Sequence, residues 1–356
     1  MEKIKVNLGE NSHYIYIGRR IEEIGEIIRN GEFGEKFVIL SDFNVYSIYG
    51  EKIKKSIGNV REIIIQPGER QKNFKTVLRI INKLAEFKIN REDTVINLGG
   101  GIINDIGGFV SSIYKRGINY ISIPTTLLAQ VDASIGGKTG INLPFGKNLV
   151  GTFYQPTFIL IDFQTLLTLP YRETKQGIAE IIKYGVIKNE KIFEKLERIK
   201  KDEINENLEF LIKESIKIKV DIVEKDEKER KGIREILNFG HTLGHGIEIS
   251  DIKNFSHGDS VCLGMIGESY IGYKKGLCSR EVYLRIKELG KKFRLLNSFE
   301  KINFERIIDF MKHDKKIKKE KVRFVLPERI GKVKIGVEIE DKEILKILKE
   351  IKNEKT

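Results

Sequence analysis

Tryptophan is absent from the 356 residues, cysteine occurs twice and proline six times. Two cysteines exclude a disulfide-stapled scaffold. Cys262 and Cys278 form no C-x-x-C pair, so they read as reduced core thiols of a cytosolic protein. Scarce proline excludes collagen-like chains. No apolar run approaches the ~18 residues of a membrane span. The first residues, MEKIKVNLGENSHYIYIG, hold no apolar core of the kind a signal peptide needs. Neither a membrane partner nor secretion is expected, and the expected location is the cytoplasm.

Apolar residues make up 40% of the chain and the mean hydropathy is −0.28, values of an ordinary globular protein. The length suggests two domains. There are 64 Lys and Arg against 51 Asp and Glu, a net charge of +13. That excess invites a nucleic-acid reading, but the two signs are interleaved almost throughout, as on a solvated, ion-paired surface. No DNA- or RNA-reading motif is present, so no nucleic-acid partner is expected.

Short β-branched runs, FVILSD (37–42), REIIIQP (61–67), DTVINLGGG (93–101), INYISIP (118–124) and TFILID (157–162), read as strands. Helical patterns such as NFKTVLRIINKLAEF (73–87) lie between them. This alternation predicts a parallel sheet with helices on both faces, with ligands outside the carboxyl ends of the strands. Beyond Pro170 the segments 171–200, 203–229, 231–250, 258–276, 279–296 and 303–313 read as helices. Strand candidates return only at VRFVLP (322–327) and KVKIGVEI (332–339). The expected architecture is an α/β Rossmann-like nucleotide-binding domain over 1–170 and a mainly α-helical metal- and substrate-binding domain over 171–356.

Residues 99–151 hold 11 of the 33 glycines but only two acids, Asp105 and Asp132. Gly99, Gly100 and Gly101 follow a strand and precede a helix, where backbone amides can cradle a pyrophosphate. The G-x-G-x-x-G pattern fails at Asn104, and a P-loop ending in Gly137-Lys138-Thr139 fails at Asp132. Lys115, Arg116, Lys138 and Lys147, with Asn148 after the last, suit phosphate binding as a cluster. Taken singly, each reads as a surface charge.

Three of the five histidines fall within residues 241–257. NFGHTLGHGIE sets His241 and His245 four apart, on one face of a helix if it continues through Gly244. His257 opens the next helical segment. Imidazoles joined by a carboxylate suit Zn²⁺ or a similar divalent ion. Glu180, in GIAEIIKYG, is the best distant carboxylate, because an unpaired acid on so apolar a helix is costly. Three ligands leave positions open for substrate, as in a catalytic site.

Five segments, GGGIINDIGGFVSSIYKRG, IPTTLLAQVDASIGGKTGINLPFGKNLVGTFYQP, RETKQGIAEIIKYG, ILNFGHTLGHGIE and FSHGDSV, together resemble the 3-dehydroquinate synthase family of sugar-phosphate cyclases. The likeness runs from about Ser41 to Val333. It implies a phosphate-eliminating carbon–oxygen lyase of the shikimate pathway to aromatic amino acids. Such an enzyme turns 3-deoxy-D-arabino-heptulosonate 7-phosphate into 3-dehydroquinate and phosphate, oxidising the sugar only transiently.

The same resemblance implies Zn²⁺ or Co²⁺ on Glu180, His241 and His257, with His245 beside the substrate hydroxyls as a proton relay. NAD⁺ would contact Asp42, Asn44, Glu69, Lys72, the Gly99, Gly100 and Gly101 turn, Asp105, Lys138 and Lys147. Thr125, Thr126, Thr165 and Thr168 would surround its adenosine side. The anionic groups of the substrate would be held by Lys138, Lys147, Asn148, Lys183, Lys219, Arg234 and Asn238. Lys138, Asp132, Asn148 and His245 would serve catalysis. Arg116 would reach a neighbouring subunit's site, which implies a homodimer, and Lys315 or Lys316 would complete the phosphate clamp.

Three departures stand out. Asn104 replaces a usual glycine, a change that asparagine's tolerance of left-handed backbone would ease. The stretch DEKERKGIR (226–234) is one residue longer than the pattern, so its acidic residue has no assigned position. The glycine that usually follows the Asp-Lys-Lys segment is missing, which leaves Lys315 and Lys316 as alternatives. A sister cyclase, or a metal-dependent polyol dehydrogenase, is the rival reading; the dehydrogenase gives no reason for the anion-binding cations.

Overall fold

The structure, a computed structural model, describes residues 2–31, 33–250, 255–296, 298–300, 302–313 and 321–353. The chain divides into two units, Met1–Pro170 with Lys219–Lys228, and Tyr171–Ile218 with Glu229–Thr356. The segment Lys219–Lys228 thus belongs to the first unit, where a single boundary after residue 170 puts it in the second.

In chain order the first unit contains β1 (Glu2–Val6), β2 (His13–Ile17), α1 (Ile24–Arg29), β3 (Phe37–Asp42), α2 (Phe43–Ile57) and β4 (Val60–Ile65). There follow α3 (Phe74–Glu86), β5 (Thr94–Gly99), α4 (Gly101–Ile113), β6 (Asn119–Pro124), β7 (Lys138–Leu143), β8 (Gly146–Phe153) and β9 (Phe158–Ile161). Seven strands form one sheet in the order β1-β2-β9-β6-β5-β3-β4, parallel except for the β1–β2 hairpin at its edge.

Alternation along each strand sends side chains to opposite faces. One face packs Val38, Leu40 and Val95 against Val77, Ile80 and Leu84 of α3 and Ile103, Ile106 and Val110 of α4. The other packs Ile39, Ile96 and Ile121 against Ile24 and Ile28 of α1 and Tyr49 and Ile53 of α2. The sheet therefore carries helices on both faces, as its strand–helix alternation predicts.

The chain pairs β4 on one side of β3 and β5 on the other, so the strand order reverses between β3 and β5. Ligands in such sheets bind beyond the strand ends at that reversal. Here those ends are Asp42 and Gly99.

The second unit contains α5 (Tyr171–Ile187), α6 (Glu190–Arg198), the start of α7 (Ile204–Lys225), α8 (His241–Ser250) and α9 (His257–Lys274). It continues with α10 (Arg280–Lys292), α11 (Phe304–His313), β10 (Lys321–Arg329), β11 (Lys332–Glu340) and α12 (Asp341–Asn353). Two expectations are corrected here. The stretch 171–200 is two helices, because Asn189 accepts a hydrogen bond from the Lys191 amide and starts α6 afresh. The stretch 231–250 is a 3₁₀ turn over Ile233–Asn238, then Gly240 at φ +78°, then α8. A positive φ interrupts a helix, and glycine is the residue that adopts it without strain. Among the described residues no helix is long and apolar enough to cross a membrane.

Candidate active site

In the second unit, α5, α8 and α9 each bring one side chain to a common point. Glu180 Oε1 lies 3.3 Å from His241 Nε2 and 3.2 Å from His257 Nε2. Ligand atoms about 2.0–2.1 Å from a tetrahedral Zn²⁺ stand roughly 3.3 Å from one another, so the spacing fits one divalent ion. These three residues are the potential metal-binding group among the described residues.

Outer contacts aim the rings. His241 Nδ1 faces the Phe239 carbonyl at 3.1 Å and His257 Nδ1 faces Glu248 Oε2 at 3.6 Å, leaving both ε nitrogens for Glu180. Such partners fix ring orientation and tautomer at metal sites.

The electrostatics agree. Burial alone raises the fully buried Glu180 carboxyl, but Lys183 and the imidazoles outweigh it and hold the group well below the usual carboxylate range. Burial works to lower His257, yet its bonds to Glu180 and Glu248 carry it up to about 10. For His241 burial prevails over Glu180 and the imidazole is lowered. Two carboxylates around these rings favour positive charge at this point, of the kind that Lys183 supplies and a divalent ion would add to.

The helix from His241 does continue through Gly244, which places His245 one turn on, its ring centroid 5.3 Å from that of His241. Close helix approach makes this possible. A Cβ on Gly264 would stand 1.8 Å from the Gly240 carbonyl oxygen, and one on Gly244 would stand 2.9 Å from that of Ser260. Lys183, one turn after Glu180 on α5, is buried and ion-paired with it. Arg234 and Asn238 sit on the 3₁₀ turn that leads into α8.

The first unit gathers another group. Lys72 Nζ donates to Asp105 Oδ2 and to Asn148 Oδ1, both at 2.6 Å. Asn142 Oδ1 accepts from the Asn148 amide at 2.9 Å, while Asn142 Nδ2 donates to Glu69 Oε1 at 2.7 Å. Lys138 and Lys147 lie on β7 and β8, an antiparallel hairpin that the glycine-rich stretch did not suggest.

Asp42 caps α2, accepting from the Asn44 and Val45 amides. Gly100 precedes α4, whose first amides are open to an anion. Beside this turn the Thr125 amide donates to the Gly99 carbonyl at 3.1 Å, and Thr125 Oγ1 is buried without a hydrogen-bond partner.

The other residues singled out in the sequence are more self-contained. Thr126 Oγ1 accepts from the Ala129 amide. Gln130 Nε2 ties Pro124 and Asp162 to the Thr165 hydroxyl, and the Thr168 hydroxyl meets the Tyr49 hydroxyl at 2.6 Å. Lys219 Nζ donates to the carboxylate and the backbone carbonyl of Asp132, at 2.7 and 2.6 Å. Arg116 is exposed on a turn where both Lys115 and Arg116 have positive φ, +49° and +65°.

Residues 62–176 match the family described as 3-dehydroquinate synthase N-terminal, and residues 177–317 match 3-dehydroquinate synthase C-terminal. A 3-dehydroquinate synthase of Dictyoglomus thermophilum is 44% identical over 359 residues, covering 98% of each chain. The chain belongs to the 3-dehydroquinate synthase family.

Two solved structures share its fold. A 2-deoxy-scyllo-inosose synthase complexed with carbaglucose-6-phosphate, NAD⁺ and Co²⁺ matches with a TM-score of 0.88 at 24% identity, over 98% of this chain and 99% of that one. A 2-epi-5-epi-valiolone synthase from Streptomyces hygroscopicus with NAD⁺ and Zn²⁺ bound gives 0.86 at 24%, over 97% and 98%.

Against the 3-dehydroquinate synthase pattern, Asn104 needs no left-handed backbone: it sits within α4 and is absent from the positive-φ residues, which corrects that expectation. Its side chain instead braces the glycine turn, donating to the Gly99 and Gly100 carbonyls at 3.1 and 3.0 Å and accepting from the Ser122 hydroxyl. Asn104→Ala leaves the buried Ser122 hydroxyl without its partner. Urea denaturation is expected to show a loss of about 1–3 kcal/mol.

Within the 226–234 stretch Glu229 is left-handed, at φ +54°, and its Oε1 lies 3.6 Å from Arg234 Nε. Lys315 and Lys316 lie outside the described residues.

Sequence reasoning missed Glu248, Asn142 and Gln130. Glu248 had a signal, since it follows His241 by seven residues and so shares its helix face.

Proposed function

We propose that the chain converts 3-deoxy-D-arabino-heptulosonate 7-phosphate to 3-dehydroquinate and phosphate, as an NAD- and metal-dependent lyase of the cytoplasm. The observation that carries this reading over a sister cyclase is the 44% identity over 98% of a 3-dehydroquinate synthase, against 24% for the inosose and valiolone synthases. When bound, a divalent ion supplies Lewis acidity at the substrate hydroxyls and a nicotinamide supplies a reversible hydride acceptor.

The protein's own part is orientation and charge stabilisation. Glu180, His241 and His257 hold the ion. His245 relays a proton at the hydroxyl being oxidised. Lys183, Arg234 and Asn238 in the second unit bind anionic groups of the substrate. The family resemblance gives Lys138, Lys147, Asn148 and Lys219 the same role, with Asp132 orienting Lys219. Asp42, Asn44, Glu69, Lys72, Asp105 and the Gly99–Gly101 turn hold the dinucleotide, with Thr125, Thr126, Thr165 and Thr168 on its adenosine side. The active species is a homodimer to which Arg116 contributes across the subunit boundary. Both cysteines are free, which suits a reducing compartment.

The test is the purified protein with the heptulosonate phosphate, catalytic NAD⁺ and a divalent metal, followed by phosphate release and product mass. One phosphate per 3-dehydroquinate without net NADH is expected. Net NADH from an unphosphorylated polyol would favour a dehydrogenase instead. Lys138→Ala is expected to raise KM for the sugar phosphate about 10–100-fold, the equivalent of one charge-assisted hydrogen bond, with metal content unchanged by elemental analysis.

A further inference from the structure

Glu268 on α9 is fully buried, and none of the roles above uses it. Its carboxylate accepts hydrogen bonds from the Gly240 amide through Oε2 at 2.6 Å and from the Leu243 amide through Oε1 at 3.1 Å. These amides open α8, where unsatisfied N–H groups and the helix dipole both favour negative charge. We propose that Glu268 is a positioning residue that clamps the start of α8 and so holds His241 and His245 against Glu180 and His257. The inference rests on the metal reading of that site.

Four observations converge on it. The amides that Glu268 holds bracket His241, and the Phe239 carbonyl that orients the His241 ring lies on the same turn, 3.1 Å from Nδ1. Gly240 has φ +78° and, being glycine, has no side chain with which to cap the helix it precedes. The Gly264–Gly240 approach brings α9 against that turn. Finally, His257 and Glu268 are eleven residues apart on α9, about three helical turns, so they share a face. One helix thus supplies both a ligand and the clamp on the next ligand's backbone. A buried carboxylate is expensive unless fully hydrogen-bonded, and an apolar residue there would leave the two amides unserved.

Glu268→Gln keeps the shape but loses the charge and turns one acceptor into a donor facing an amide. In the full-length protein, Co²⁺ affinity measured by chelator competition is expected to fall about 10–100-fold, the range for residues that orient ligands. The visible spectrum of bound Co²⁺ shifts with it, and kcat falls more than KM rises. Glu268→Asp keeps the charge, withdraws it by about 1.5 Å, one C–C bond, and so cannot reach both amides. A smaller change in the same direction is expected, which keeps the test open should the glutamine variant not fold. A folded variant of either kind with wild-type Co²⁺ affinity and spectrum overturns the proposal, even if its denaturation midpoint is lower. Wild-type protein that binds no Co²⁺ refutes the metal reading instead.

Discussion

His257→Ala is expected to abolish metal binding and turnover together. The imidazole is one of the three proposed donors, its Nε2 3.2 Å from Glu180 Oε1. Alanine removes a donor atom itself, where a residue that only orients a ligand costs about 10–100-fold in affinity. The loss should therefore exceed 100-fold. Elemental analysis after dialysis against a weak chelator, paired with phosphate release, measures both quantities. Retention of wild-type metal and turnover would sink the Glu180–His241–His257 assignment. So would full activity of a verified metal-free protein.

Gly264→Ala should be severely damaging to the second unit's core. The new carbon would meet the Gly240 carbonyl oxygen at 1.8 Å, and backbone cannot rotate away as a side chain can. Relief requires α8 and α9 to separate. Overpacking usually costs about 1–3 kcal/mol, and a contact this short against backbone belongs at or above the top of that range. Urea denaturation should show that loss. Because His241 and His257 ride on the two helices, metal affinity should fall even where the variant remains folded. Unchanged stability and affinity would mean that the two helices are not held at the spacing described.

How much of this could be read beforehand depends on the range of the signal. DTVINLGGG is legible as a buried parallel strand followed by a turn because the whole pattern is local; every residue of β5 is buried. The histidine group is legible from spacing, since His241 and His245 share a helix face and His257 opens the next helix. The β7–β8 hairpin was hidden by its glycines. Gly140 and Gly151 face each other, and a Cβ on Gly151 would lie 2.0 Å from the Thr139 carbonyl, so glycine there serves close strand pairing, which composition reads as loop. Asn104 was misread for a related reason: its identity is set by three partners distant from any turn rule. Glu268 gave least signal of all, because its bonds go to residues 25 and 28 positions away.

The 22-residue helix α7 begins in the second unit and ends in the first. Its last turns, with the residues just beyond, carry Lys219 to Asp132, Glu224 to Asn7 and Glu227 to Asn11 and Gln155. The two units are therefore not interchangeable cassettes. A gene fragment ending at residue 170 would encode the seven-stranded sheet stripped of these partners. Recombination between relatives at that point would have to match both parents across α7 as well. The first unit is complete only once the chain has run through α5, α6 and the start of α7 and returned with the ten residues Lys219–Lys228.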